Sequence, residues 1–174
     1  VSPIQLGKSD IIKDIQCALE TSGLSPSRLL LEITESSFLE GDEEIMSVLR
    51  EIRSIGVSLA LDDFGTGYAS LGYISRFPID VIKVDQSFIR TLTTELTSRS
   101  IIQFTKTLSD ALNLTMLCEG VETEEQMEFL QRVGCDQVQG YLFGRPQDSV
   151  AARETIDRFF SGKNNLQLVT KSVA

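Results

Sequence analysis

Short apolar, β-branched runs alternate with longer segments of helical period from near the start of the chain to about residue 160, and this alternation restricts the fold more than any other feature. Strands are predicted at Leu29–Thr34, Val57–Asp62, Asp80–Asp85, Leu114–Glu119 and Gln137–Tyr141. Between them, Ile45, Val48, Leu49, Ile52 and Ile55 keep helical spacing, as do Ile101, Phe104, Leu108, Ala111 and Leu112, which gives each helix one apolar face. Ile11, Ile12, Ile15 and Leu19 mark an earlier helix that stops at Ser22-Gly23. Met127, Leu130 and Val133 mark one that stops at Gly134, and Ala152, Ile156, Phe159 and Phe160 mark a last one before the polar residues from Ser161.

Alternating βα units imply a parallel α/β sheet, either open and doubly wound or closed as a TIM-type (β/α)8 barrel. The strand ends favour the barrel. Each run finishes in polar, mostly acidic groups: Glu32 and Glu35, Asp62 and Asp63, Lys83 and Asp85, Glu119, then Gln139. A barrel gathers the C-terminal ends of all its strands at one mouth, whereas an open sheet spreads them along an edge. Five strands are legible where a closed barrel has eight, so the chain reads as about the last five βα units, with about three units expected before it. Nothing divides it internally. Residues 1–160 are taken as one portion of a domain and 161–174 as a polar C-terminal tail.

The sequence has no histidine, so imidazole is excluded as base, nucleophile orienter or metal ligand. Catalysis would run on carboxylates, lysine, amides and hydroxyls. The net charge of −9 argues against DNA or RNA backbone as a partner. Apolar runs fall well short of the ~20 residues of a membrane span, which predicts a soluble piece. Cys17, Cys118 and Cys135 form no zinc or redox motif by spacing and suit a reducing cytoplasm.

Lysine in the middle of Val81-Ile82-Lys83-Val84-Asp85 is the most informative residue, because strand interiors rarely bury an ammonium without a carboxylate. Lys83 and Asp85 share one strand face, and Glu32 and Thr34 share another. Lys83 is therefore either one half of an ion pair with Asp85 or a lysine tuned for proton transfer or for holding water. Asp62-Asp63 closes a strand and opens Phe64-Gly65-Thr66-Gly67-Tyr68, where glycines permit tight turns. Such a pair also serves as a cap or turn former. With Glu32 and Glu119 on neighbouring strand ends, though, the carboxylates are too many for capping, and their crowding calls for Mg²⁺ or Mn²⁺. Two such ions about 4 Å apart suit in-line displacement on a phosphodiester. A barrel enzyme that abstracts a proton beside a carboxylate, using lysine and Mg²⁺, is the other reading of the acids, but it leaves the Asp62–Tyr68 loop unexplained.

The runs Leu31-Glu32-Ile33-Thr34-Glu35-Ser36, Asp62-Asp63-Phe64-Gly65-Thr66-Gly67-Tyr68 and Lys83-Val84-Asp85 resemble the EAL phosphodiesterase family, and Glu119-Gly120-Val121-Glu122 and Gln139-Gly140-Tyr141 extend the resemblance over nearly the whole chain. The resemblance implies hydrolysis of the bacterial second messenger cyclic di-GMP to linear pGpG by metal-activated water on a (β/α)8 barrel with two Mg²⁺ or Mn²⁺ ions. By position it makes Glu32 and Asp62 ligands of one metal and Asp63 a ligand of the second, with Asp85 close to it. Lys83 would orient or deprotonate the attacking water. Glu119 would belong to the metal and water cluster, and Gln139 to the water and substrate shell. Glu35 would anchor the loop from Phe64 to Leu71, and Glu122 would support the site from behind.

The family's namesake glutamate, the arginine after it and a metal-binding asparagine are expected upstream of Val1. The resemblance also implies a homodimer and upstream sensory or GGDEF domains in a parent protein that is cytoplasmic or membrane-tethered. Some members of the family bind cyclic di-GMP or a protein without turnover, which is the alternative function.

Overall fold

The computed structural model describes residues 1–7, 10–34, 43–67, 74 and 76–160. Glu35, residues 68–71 of the expected loop and the tail 161–174 lie outside the described residues.

Five strands form one all-parallel sheet in sequence order: β1 (Leu30–Thr34), β2 (Ser58–Phe64), β3 (Val81–Val84), β4 (Thr115–Glu119) and β5 (Gln137–Gln139). The helices are α1 (Pro3–Leu6), α2 (Ile11–Ser22), α3 (Glu43–Ile55), α4 (Gln86–Arg90), α5 (Leu96–Leu112), α6 (Glu124–Val133) and α7 (Ser149–Phe160). This is the parallel α/β architecture predicted for a partial TIM-type barrel.

Register explains how the strands divide their side chains. Glu32 pairs with Ala60 and Ala60 with Val81, while Lys83 pairs with Leu117 and Leu117 with Gln137. Paired residues in a parallel sheet share a face, and the face alternates along each strand. One face therefore carries Glu32, Thr34, Ala60, Asp62, Val81, Lys83, Leu117, Glu119 and Gln139. Its apolar part is small, a buried patch of Ala60, Val81 and Leu117. The other face carries Ile33, Leu59, Leu61, Ile82, Val84, Met116 and Cys118, each 1% exposed or less. These pack against the apolar stripes of the helices, including Ile45, Leu49 and Ile52 of α3, Ile102 of α5 and Leu130 of α6. At about 1.5–3 kcal/mol per fully buried aliphatic side chain, this outer layer is the main source of stability. The inner face is left free to carry charge at its C-terminal end.

The N-terminal end of the sheet is tied at two places. Asp80 accepts the Leu59 N–H at 2.9 Å and Arg53 Nη2 at 2.8 Å. Asp136 repeats the arrangement one βα pair later, accepting the Met116 N–H at 2.9 Å and Lys106 Nζ at 3.1 Å. In each case an aspartate just before one strand satisfies a backbone donor of the strand before it, and a cation from a preceding helix neutralises it.

Some boundaries differ from expectation. β5 stops at Gln139 rather than Tyr141, because Gly140 passes so close to the Val121 backbone that a side chain there would clash with it. The chain instead turns, with Leu142 N donating to Val121 O at 3.0 Å and Phe143 N to Gly140 O at 3.1 Å. β3 stops at Val84, and Asp85 begins α4 by accepting the Ser87 N–H at 3.0 Å. Asp85-Gln86-Ser87 is a readable helix start that strand patterning obscured.

Candidate active site

The mouth of the sheet is built around Lys83. It is 3% exposed and stands on the inner face of β3, one residue before the strand ends. Its ammonium lies 2.6 Å from Glu32 Oε1 of β1, 2.8 Å from Asp62 Oδ1 of β2 and 2.9 Å from Glu119 Oε1 of β4. These are charge-assisted contact lengths, and three of them use the full donor capacity of the ammonium. Burial works to lower the Lys83 pKa, but the hydrogen bonds to Asp62, Glu32 and Glu119 outweigh it and hold the group above the ordinary lysine range. An ion pair between Lys83 and Asp85, one of the two readings of the strand, gives way to these three contacts, and Asp85 instead caps α4.

Asp62 and Asp63 are separated in role by a break in the sheet. The β2–β3 register shifts between Leu61 and Phe64, and Asp63 takes a left-handed backbone with φ of 57°. A bulge of this kind re-aims a side chain. Asp62 consequently reaches Lys83, while Asp63 is exposed. Partial burial, then the nearby charges of Asp62 and Asp85, raise the Asp63 pKa, with Glu32 adding to the effect and Lys83 opposing it.

The loops that follow the strands lock against one another. Gly120, directly after Glu119, has φ of 75°, and a Cβ there would meet Gln86 Cβ at 2.7 Å. Gln126 of α6, 6% exposed, donates to Ile89 O of α4 at 2.9 Å. Its Oε1 accepts the N–H groups of Glu122 at 2.8 Å and Thr123 at 3.0 Å. Helical period does not single out Gln126, but Thr123-x-x-Gln126 is a capping-box pattern legible in the sequence.

Glu32, Asp62, Lys83 and Glu119 are thus in direct contact, and Asp63 and Asp85 stand within their field. Gln139 is level with Glu119 in register, exposed, at the end of β5. Glu122 is exposed after β4, and its backbone rather than its carboxylate is what holds it.

Three carboxylates sharing one ammonium leave the cluster with negative charge in excess. The carboxylates are hard oxygen donors, so charge and chemistry fit a divalent cation. Among the described residues no three acidic side chains already surround a common metal position, since Glu32, Asp62 and Glu119 converge on Lys83 Nζ instead.

The model of the family described as EAL domain matches residues 1–146. The chain belongs to the EAL domain family. Among curated proteins it is 40% identical over 149 residues to "Cyclic di-GMP phosphodiesterase NbdA" of Pseudomonas aeruginosa, a match that covers 86% of this chain and 19% of that protein. The chain therefore spans about a fifth of that relative. Among solved structures, the EAL-family chain resembles the PaMucR phosphodiesterase in its c-di-GMP complex, with a TM-score of 0.83, 38% identity, and coverage of 87% of this chain and 62% of that one. It also resembles Klebsiella pneumoniae BlrP1 in a manganese/cy-diGMP complex, with a TM-score of 0.76, 36% identity, and coverage of 83% and 37%.

Proposed function

We propose that this EAL chain carries the Lys83-centred part of the active site of a cyclic di-GMP phosphodiesterase, with residues 1–160 as the C-terminal portion of the domain and 161–174 as a tail. The observation that carries the reading is the sharing of the Lys83 ammonium by Glu32, Asp62 and Glu119 at three strand ends, in a family whose similar members are named as phosphodiesterases of this nucleotide.

In this reading Glu32 and Asp62 would hold one divalent ion and Asp63 a second, with Asp85 close to it. Bound Mg²⁺ or Mn²⁺ supplies polarisation of a phosphoryl oxygen and a lower pKa for water. Lys83 would donate to the attacking water and fix its direction once Glu32 and Asp62 turn from its ammonium to a cation, which frees N–H donors, and Glu119 would accept from that water. Gln139, beside Glu119, holds water and substrate. Glu35 anchors the loop from Phe64, and Glu122 supports the site from behind. Water oxygen adds to one phosphorus, a P–O3′ bond breaks and the leaving O3′ takes a proton, so the ring opens to linear pGpG. An acidic mouth by itself would repel this dianionic substrate, and bound cations would offset that repulsion.

A homodimer, upstream sensory or GGDEF domains in a longer parent and a cytoplasmic location belong to the same reading. A similar Pseudomonas aeruginosa protein, MucR, is named as a bifunctional diguanylate cyclase and cyclic di-GMP phosphodiesterase. No helix of the described residues is long and apolar enough to cross a membrane.

The test is chromatographic detection of pGpG after incubation of the chain with cyclic di-GMP and Mn²⁺, beside Lys83→Ala. The expected result is turnover that disappears in the variant. Retention of cyclic di-GMP without pGpG would favour a binding domain, and neither turnover nor retention would overturn the reading for this chain.

A further inference from the structure

Two thiols outside the Lys83 cluster lie in contact. Cys118, on β4, points to the helix side of the sheet and is fully buried beside Met116 and Leu130. Cys135, in the turn between α6 and β5, is partly exposed. Its Sγ is 3.4 Å from Cys118 Sγ, 3.1 Å from Gln137 O and 3.6 Å from Met116 O. Both are free thiols, as is Cys17, exposed on α2. Packing alone accounts for one buried cysteine. It does not require a second sulfur against the first with a path to solvent.

We propose that Cys118 and Cys135 are a redox-active dithiol that a hydroperoxide converts to an intramolecular disulfide. The sulfur of Cys135, the less buried of the two residues, attacks the hydroperoxide. The O–O bond breaks, one oxygen stays on sulfur as a sulfenic acid, and water or an alcohol leaves. The Cys118 sulfur then attacks the Cys135 sulfur. The S–O bond breaks, the S–S bond forms, and the hydroxyl departs as water with the Cys118 proton. The two sulfurs together lose two electrons and the hydroperoxide gains them.

Closing from 3.4 Å to a bond of about 2.05 Å requires movement. Cys118 lies within a strand paired on both sides, with Val84 and with Val138. The displacement therefore falls on the turn that carries Cys135. This proposal stands on the thiol geometry and is independent of the phosphodiesterase reading.

The reduced chain would be treated in its folded state with hydrogen peroxide, its remaining thiols alkylated, and its peptides identified by mass spectrometry. The expected product joins the Cys118 and Cys135 peptides with loss of two hydrogens, reverts with dithiothreitol and leaves Cys17 alkylated. In Cys118→Ser, Cys135 should stop at a sulfenic acid that dimedone traps, and in Cys135→Ser, Cys118 should remain a thiol. Recovery of Cys118 and Cys135 as alkylated thiols while Cys17 is oxidised would overturn the proposal. So would oxidation of Cys135 to sulfinic acid in the unmutated chain without linkage to Cys118.

Discussion

Glu32 on β1 and Glu119 on β4 bind the same Lys83 Nζ, at 2.6 and 2.9 Å, although two strands lie between them. In a flat sheet those strands would be about 14 Å apart, at about 4.8 Å per step. Both carboxylates reach one nitrogen because Lys83 stands on β3 between them and all three side chains share the inner face.

Glu119→Gln keeps the shape of the side chain and removes one of three negative charges around Lys83. Since the cluster has negative charge in excess, the fold should persist, with a melting temperature within a few degrees of the parent chain. Turnover of cyclic di-GMP should fall by about 10²-fold or more, the range for a lost acid–base or water-holding group. Kinetics of pGpG formation, with circular dichroism on the same sample, check both halves.

Gln126→Ala removes a buried amide and strands Ile89 O together with the N–H groups of Glu122 and Thr123. Losing a buried partner costs about 1–3 kcal/mol per group, so a loss of about 3 kcal/mol is expected in urea unfolding. An unchanged midpoint would show that water replaces the amide.

Gly140→Ala should be worse tolerated than its size suggests. The new Cβ would meet the N, C and O atoms of Val121, and backbone cannot rotate away as a side chain can. A loss of about 3 kcal/mol or more is expected. The hydrogen bonds that Val121 makes with Gln139 O and Leu142 N should open, which amide exchange at residues 121 and 142 would report.

Lys106 gives the fold an alkaline limit. Burial works to lower its pKa, but Asp110 and Asp136 outweigh it, so the folded value is raised. The stabilisation is complete below the unfolded lysine value of about 10.4 and is lost as pH rises through the higher folded value. Lys106→Met should cost about 1–2 kcal/mol at neutral pH and flatten the stability profile above pH ~10, measured by urea unfolding across that range.

The βα order, the helices ending at Gly23 and Gly134 and the acidic strand ends were legible in the sequence because each is written in neighbouring residues: in side-chain period, in a turn residue, in a polar group after an apolar run. The family motifs were legible for the same reason, being contiguous. Which carboxylates Lys83 meets was decided only by tertiary structure. Residues 32, 62, 83 and 119 are brought together by strand order and register, and a one-residue slip would turn each to the opposite face. Asp85 caps α4 instead of pairing with Lys83, its carboxylate accepting the N–H of Ser87 two residues on. Gln126 and the Cys118–Cys135 contact depended likewise on how loops from separate βα units pack, a distance that no spacing along the chain encodes.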